Sequence, residues 1–558
     1  MPTLTAEPCL RRPLARRADG LHHLVYPLAY AMLPIVTLYR QNAHELSPGD
    51  LVRPLSVSAL LALALNLGLR RWLPPARAAL MVSAGWVFLF AWQPIRDAII
   101  PAGGTTPWLW WLLAGWLVVL AAVLAAFIRI RRGITALSRL AAVAAAVMSV
   151  AAIVGLVQAC HSESLLPTRL GPDPPLRAAA PPRARLPDIY YIVLDGYART
   201  DVLRDRYHFD NSPFMRYLGS RGFAVAQRSS ANYNSTIMSA AATFNLDYLE
   251  GLARQAGRDC RDYHPAINLT ANSRLCRLLR ARGYRIVTVG CLDPPYRSLP
   301  ADARYASPRT NPLERAAFGA TFLPMLSALC RQEPGPLQAH RNRVRDTLRV
   351  LGRLPRQRPP TFVVAHVLCP HPPFVFHRDG SPRLRAGQFC ELALEDSMLH
   401  TPKYTVFYRD QLAYLNTMVQ ESLDRLLAGR GREAVVIVQS DHGPPRRLGE
   451  ATLTELMGVL IAVRLPHGDR MPLWPGVTPL NVMRGVIDRY VGYHLPRLPD
   501  RSNFTTVFEP YRFTPVTDVV TRNWGEVPEP SALVSLLAKG WRFPKNTTPA
   551  ASPDLTFQ

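Results

Sequence analysis

Lysine is almost missing from this chain, occurring only at Lys403, Lys539 and Lys545, so the net charge of +25 is carried by arginine. The arginines are scattered. No basic run interleaved with aromatics occurs, which argues against a nucleic-acid partner and leaves attraction to anionic lipid as the better use of the charge. The eight cysteines include no CxxC pair and no Cys/His spacing, which excludes a zinc finger or ribbon. Six of them (Cys260, Cys276, Cys291, Cys330, Cys369, Cys390) fall in the second part of the chain. Outside the cytosol some of these could pair, buried free thiols being equally compatible, and spacing does not set a connectivity. Internal repeats are also absent. With 558 residues the chain exceeds one domain's worth of length.

What is present is unevenly distributed. Five apolar runs precede residue 160, roughly 24–39, 55–69, 79–95, 108–128 and 140–158, with no charge inside any of them. Each is near the ~17–25 residues that a bilayer helix needs, and five in series exceed any ordinary soluble core. Eleven arginines (11, 12, 16, 17, 70, 71, 77, 129, 131, 132, 139) lie on one side of these spans, against Arg40, Arg53 and Arg96 on the other. The positive-inside rule then places the N-terminus in the cytoplasm and everything after the fifth span outside. The first span is embedded in a multispan pattern and does not read as a cleaved signal. The expected division is a five-helix transmembrane domain over 1–158, a linker rich in Pro, Ala and Arg over 159–187, an α/β domain over 188–525 and a Pro-rich tail over 526–558 with a short helix near 532–538.

The α/β domain is organised around Asp188 to Gly196, a short buried strand whose apolar core runs from Tyr190 to Leu194 and which ends in Asp195. Further strands are expected over 223–226, 284–289, 361–368, 435–438 and 459–465. Helices are expected from Ser212 as N-cap, over 239–244, 272–283 and 408–427, and from Thr478. Helix-then-strand alternation implies a mostly parallel sheet flanked by helices. Residues 292–360 read as mainly helical and as a candidate wall of a substrate cleft. In such sheets the chemistry sits beyond the carboxyl ends of the strands.

Those ends carry the candidate site. Asp195 closes the first strand, and Ser440-Asp441-His442-Gly443 follows another. Thr236 sits at a helix entrance, where a hydroxyl meets the positive end of the helix dipole and suits a nucleophile for a phosphate. Two carboxylates, an imidazole and a hydroxyl can hold one divalent cation, mixed O/N ligation suiting Zn or Mn, with Mg also compatible. Such an ion would activate Thr236 and polarise a phosphoryl oxygen, giving a covalent phospho-threonine. His371, in the loop Cys369-Pro370-His371-Pro372-Pro373-Phe374, lies at the same edge, whereas His366 inside its strand reads as a core histidine.

The strand ending in Asp195, the Asn232-Tyr233-x-x-Thr236 segment, the Pro-His-Pro-Pro-Phe loop and the Ser-Asp-His-Gly turn resemble the alkaline phosphatase/sulfatase superfamily. Five spans followed by an external domain are similar in layout to lipoteichoic acid synthases and lipid A phosphoethanolamine transferases. The resemblance implies an alkaline-phosphatase-like fold. It also implies metal-ligand positions at Asp195, Thr236, Asp441 and His442, Thr236 as nucleophile, and His371 as a phosphate-binding or proton-donating histidine. It further implies a bacterial inner-membrane protein with a periplasmic domain, which takes a phosphoglycerol- or phosphoethanolamine-type group from a phospholipid donor to an envelope glycan or lipid. The Cys/Ser-x-Pro-x-Arg motif of formylglycine sulfatases is absent, and no second metal set of the alkaline phosphatase kind is evident. A phosphodiesterase or sulfuric-ester hydrolase of the same superfamily, and a catalytically degenerate envelope assembly partner, are the alternatives.

Overall fold

The computed structural model describes residues 12–43, 46, 48–99, 109–163, 170–177, 181, 186–291, 293–306, 311–330, 336–354, 360–383, 403–429, 433–444, 453–469 and 471–521. The expected helix near 532–538 and residue Cys390 lie outside them. The chain forms two compact units. One comprises residues 1–165 together with 310–333, the other residues 166–309 and 334–558.

The first unit contains α1 (Arg12–Gln41), α2 (Gly49–Leu69), α3 (Pro75–Ile99), α4 (Leu109–Arg129) and α5 (Ile134–Glu163). Each holds a stretch long and apolar enough to cross a membrane. The second helix, expected to be the shortest, is a full 21 residues. Its first turns carry Asp50, Arg53 and Pro54, so the apolar pattern starts later than the helix does. The helices Pro312–Gly319 and Leu323–Cys330 belong to this unit. Leu313 and Ala317 pack with Ile35, Tyr39, Leu46 and Leu51, at the end of α1 and α2 that the arginine pattern assigns to the outside.

The second unit is built on a seven-stranded sheet of β1 (Ile189–Leu194), β2 (Ala224–Val225), β3 (Arg285–Val289), β4 (Ala303–Tyr305), β5 (Thr361–Val367), β6 (Val435–Gln439) and β7 (Ile461–Arg464). Their order is β2-β7-β6-β1-β5-β3-β4. The run β6-β1-β5-β3-β4 is parallel; β7 pairs antiparallel with β6, and β2 antiparallel with β7, so β7 alone runs against the other six strands. Every residue of β1 is buried, and the two-residue period splits them between two cores. Ile189, Tyr191 and Val193 face one, and Tyr190, Ile192 and Leu194 face the other. The first core takes in residues of the helices Thr236–Asn245, Arg274–Ala281 and Pro479–Val486, the second those of Pro336–Leu351 and Tyr404–Gly429. A strand covered on both faces reads as a continuous apolar run, which is how β1 was recognisable.

Local starts differ from expectation in two places. The helix expected to be capped by Ser212 is preceded by Asn211, and Ser212 is its first residue, with Pro213 in the first turn. The helix expected from Ser239 begins at Thr236, which is therefore inside the first turn rather than in the loop before it. Among the described residues Cys260, Cys276, Cys291 and Cys369 are free thiols.

Candidate metal centre and active site

Three strand ends, those of β1, β5 and β6, meet at one edge of the sheet. β1 ends at Asp195, and Gly196, with a left-handed φ of 71°, turns the chain away at once. Asp195 is tied to the neighbouring strand end through its own N–H to the Val367 carbonyl (3.0 Å) and its carbonyl to the His371 N–H (3.0 Å). β6 ends in a tight corner. Ser440 Oγ donates to the His442 carbonyl (2.7 Å) and accepts from the Tyr197 N–H (2.8 Å), locking the corner to the turn after β1.

His442 is the hinge of the site. Its Nδ1–H donates to the Gly443 carbonyl at 2.7 Å. That commits a proton to Nδ1 and turns Nε2 inward, as a backbone carbonyl does when it orients a metal-ligating histidine. Nε2 lies 3.0 Å from Thr236 Oγ1, 3.4 Å from Asp195 Oδ1 and 3.8 Å from Asp441 Oδ2. Asp195, Asp441 and His442 each place one ligand atom within 4.8 Å of the others. Asp195 Oδ1 and Asp441 Oδ2 are buried without a hydrogen-bond donor. Two carboxylate oxygens without a donor and one inward-facing imidazole nitrogen, bonded to the Thr236 hydroxyl, fit a divalent cation, with Thr236 Oγ1 in reach as a further oxygen.

The electrostatics point the same way. Burial raises the Asp195 carboxyl, but the imidazoles of His371, His366 and His442 more than reverse this and hold it well below the usual carboxylate range. Burial pushes Asp441 up, and the neighbouring Asp195 adds to it. Burial pulls His442 down, but Asp441 and Asp195 outweigh it and raise its pKa. Two carboxylates in one dry corner thus call for positive charge between them.

Thr236 is presented by a braced loop. Asn232 Oδ1 accepts from the Leu480 N–H (3.1 Å), and the Tyr233 hydroxyl accepts from the Leu249 N–H (2.9 Å). Asn234 exchanges two bonds with the Thr505 backbone (2.8 and 3.1 Å). The Thr505 segment belongs to a two-stranded ribbon, Asn503–Thr506 with Glu509–Pro515, that the sequence pattern did not reveal. Thr236 is the first residue of its helix, so its Oγ1 sits at the positive end of the dipole and bonds His442 instead of capping the helix.

His371 is buried, and its ring lies 6.1 Å from that of His442. Its Nδ1–H donates to the Pro372 carbonyl (2.7 Å), which points the opposite ring edge elsewhere. Gln411, from the long helix, holds this loop through the Pro370 and His371 carbonyls (3.2 and 3.1 Å). All five expected site residues, Asp195, Thr236, His371, Asp441 and His442, are therefore at one sheet edge.

Two others were missed. His366, expected as a core histidine, is buried but not inert. Its Nε2 meets Asp195 Oδ2 at 3.1 Å, its Nδ1 lies 3.0 Å from Asp293 Oδ2, and Tyr296 stacks on it with centroids 4.2 Å apart. Burial pulls the imidazolium down, but Asp293 and Asp195 outweigh it, pushing His366 up to about 10. The available signal was a lone polar residue in the run Phe362-Val-Val-Ala-His366-Val-Leu368, placed by the parallel register opposite Val193, two residues before Asp195. Asp293, before two prolines, carried no signal beyond that of a turn.

No protein-family model matches this chain, and no curated protein matches it. It is similar to the C-terminal periplasmic domain of EcEptC from Escherichia coli in complex with Zn, at 13% identity over 62% of this chain and 99% of that one, with a TM-score of 0.41. It is also similar to the lipoteichoic acid synthase LtaP from Listeria monocytogenes (12% identity, 60% and 79% covered, TM-score 0.34). A third similar structure is the phosphonate monoester hydrolase of Agrobacterium radiobacter (14%, 56% and 75%, TM-score 0.35). Likeness at this level leaves the chemistry of this chain to be read from its own side chains.

Proposed function

We propose that this protein is a membrane-anchored, metal-dependent transferase of phospho-alcohol groups. It takes a phosphoglycerol- or phosphoethanolamine-type head group from a phospholipid and passes it to an envelope glycan or lipid through a phospho-Thr236 intermediate. The observation that carries this is the convergence of Thr236 Oγ1 on the Asp195–Asp441–His442 corner, 3.0 Å from His442 Nε2. Asp195, Thr236, Asp441 and His442 would hold the ion, Zn or Mn by donor type. When bound, it supplies Lewis-acid charge for a phosphoryl oxygen and for the Thr236 hydroxyl.

The residues of the chain do the rest. The Thr236 oxygen attacks phosphorus from the helix N-terminus, where backbone dipoles favour the anionic phosphodiester. The bond from phosphorus to the lipid glycerol oxygen breaks, and that oxygen leaves as the diacylglycerol hydroxyl. His371, at the same edge, is placed to bind the phosphate or to protonate the leaving oxygen. An acceptor alcohol then displaces Thr236. The five apolar helices and the arginine excess at one end fit an inner-membrane anchor with the α/β domain in the periplasm.

The test is release of diacylglycerol from a head-group-labelled phospholipid by the full-length protein, with and without an alcohol acceptor. Thr236→Ala is expected to abolish release, and mass spectrometry of the stalled native enzyme to find the phosphoglycerol or phosphoethanolamine group as a diester on Thr236. Turnover surviving in Thr236→Ala would overturn the proposal. Label appearing only as the free phospho-alcohol, with acceptor present, would establish the hydrolase alternative, and a metal-free purified protein the degenerate one.

A further inference from the structure

The strongest feature outside the metal corner is the membership of residues 310–333. They lie in the middle of the α/β sequence yet fold as part of the helical unit. We propose that the helix Pro312–Gly319 is a latch, fitted to the exposed end of α1 and α2, and that through it the α/β unit stays bound to the membrane unit when the linker after α5 is cut.

Three observations carry this. The first is a local defect in α2 that the latch repairs. Pro54 has no N–H, so the Asp50 carbonyl, four residues earlier, lacks its helical donor. Asn311 Nδ2 donates to that carbonyl at 2.9 Å. The second is that both capping side chains of the latch helix serve twice. Asn311 Oδ1 accepts from the Glu314 N–H (2.8 Å) and Glu314 Oε2 from the Asn311 N–H (2.9 Å), a reciprocal capping box. The same Glu314 carboxylate takes a two-pronged ion pair from Arg53. The third is apolar burial. Leu313 is fully buried and Ala317 nearly so against Ile35, Tyr39, Leu46 and Leu51, with Leu55, Phe90 and Leu156 around them.

Consequently the chain passes between the two units at three places: near residue 165, near 309 and near 333. Cutting the first leaves the other two, which flank the segment carrying Pro312–Gly319, the helix held by a buried core and by the Arg53–Glu314 pair. The ion pair alone is too exposed to hold a domain. The buried Leu313 face is what must be broken to release it.

The experiment uses the full-length protein in native membranes with a specific protease sequence inserted after Pro167. That point lies upstream of residues 170–177, which are bonded to the α/β unit, for example through the Arg177 N–H to the Gly492 carbonyl (2.8 Å). After cleavage and washing, the fragment from residue 168 onward is expected in the membrane pellet. In Leu313→Asp/Ala317→Asp it is expected in the supernatant, with its melting transition unchanged. In parallel, Arg53→Cys with Glu314→Cys should be joined by a short bis-maleimide after cleavage, giving a gel shift that needs both cysteines. Release of the fragment without the double aspartate change, its retention despite that change, or no shift from the cysteine pair would each overturn the latch.

Discussion

Gly443 offers a sharp test of the metal corner, because it neither ligates nor touches substrate in the proposed chemistry. A Cβ added there would lie 1.9 Å from the Glu455 carbonyl oxygen and 2.9 Å from both C and O of Leu456. These are backbone atoms and cannot swing aside. Reaching ordinary contact needs an opening of about 1.5 Å, three times the ~0.5 Å tolerance of a working site. The segment cannot open without consequence. The Gly443 N–H donates to the Leu456 carbonyl (2.7 Å), and the Gly443 carbonyl holds the His442 ring. Gly443→Ala should therefore cost about 1–3 kcal/mol of stability as overpacking. It should also weaken metal binding roughly 10–100-fold, the usual effect of disturbing the group that orients a ligating histidine. The assay is a titration of the purified full-length protein against a chromophoric chelator, with a thermal melt alongside. Unchanged affinity and melting in Gly443→Ala would refute the proposed role of the corner.

Further outcomes separate the roles of the other residues. Thr236→Ser keeps a hydroxyl at the helix entrance and should retain part of the turnover that Thr236→Ala loses, both measured as diacylglycerol release. His371→Asn should lose turnover while keeping the bound metal, as read by elemental analysis. Asp293→Asn removes one of the two charges that hold His366 and should loosen the metal by about 10–100-fold without touching a ligand; an unchanged dissociation constant would make the Asp293–His366 contact incidental. Glu314 has its own pH signature. Burial raises it, but Arg53 and the Asn311 N–H more than reverse this and lower its pKa. A depressed carboxyl contributes stability above its unfolded value and loses it as pH falls through its folded value. The latch helix should accordingly lose this contribution below about pH 4.5, the ordinary glutamate value, read as faster amide exchange over the helix, while the cleaved fragment, held by the buried Leu313 face, stays in the pellet.

How much of this was legible in the sequence follows from how local each signal is. β1, β5 and β6 were readable because strands buried on both faces need unbroken apolar runs. The five membrane-length helices were readable because the bilayer demands length and forbids charge. The edge pairing of β7 with β6 as antiparallel, and the ribbon over 503–515, were not, because nothing in a four-residue apolar run states its direction. The latch was hidden for a related reason. Its helix is short and mixed in composition, and its partner, the Asp50 carbonyl one turn before Pro54, lies some 260 positions away in the chain.

At the metal corner the legible residues are those that close a strand: Asp195 after β1, Asp441 and His442 after β6, His371 after β5. A parallel sheet brings such ends to one edge whatever their separation in sequence, so topology turns strand-final polar residues into neighbours. His366 and Asp293 escape that rule for different reasons. His366 is inside its strand, and only the register that sets it opposite Val193 brings its ring to Asp195. Asp293 comes from beyond β3, one strand further out, and meets the site at His366, with a carboxylate oxygen within 4.8 Å of Asp195 as well. The corner is thus built in depth as well as along the edge. Asp195 Oδ1 faces His442, while Asp195 Oδ2 is held by His366, so one carboxylate joins the ligand set to the interior. If that division of its two oxygens matters, Asp195→Asn should abolish metal binding outright, since the amide cannot keep an acceptor on both sides, whereas Asp441→Asn should only weaken it. Equal losses in the two variants, measured by the same chelator titration, would show that Asp195 is an ordinary ligand with no added duty toward His366.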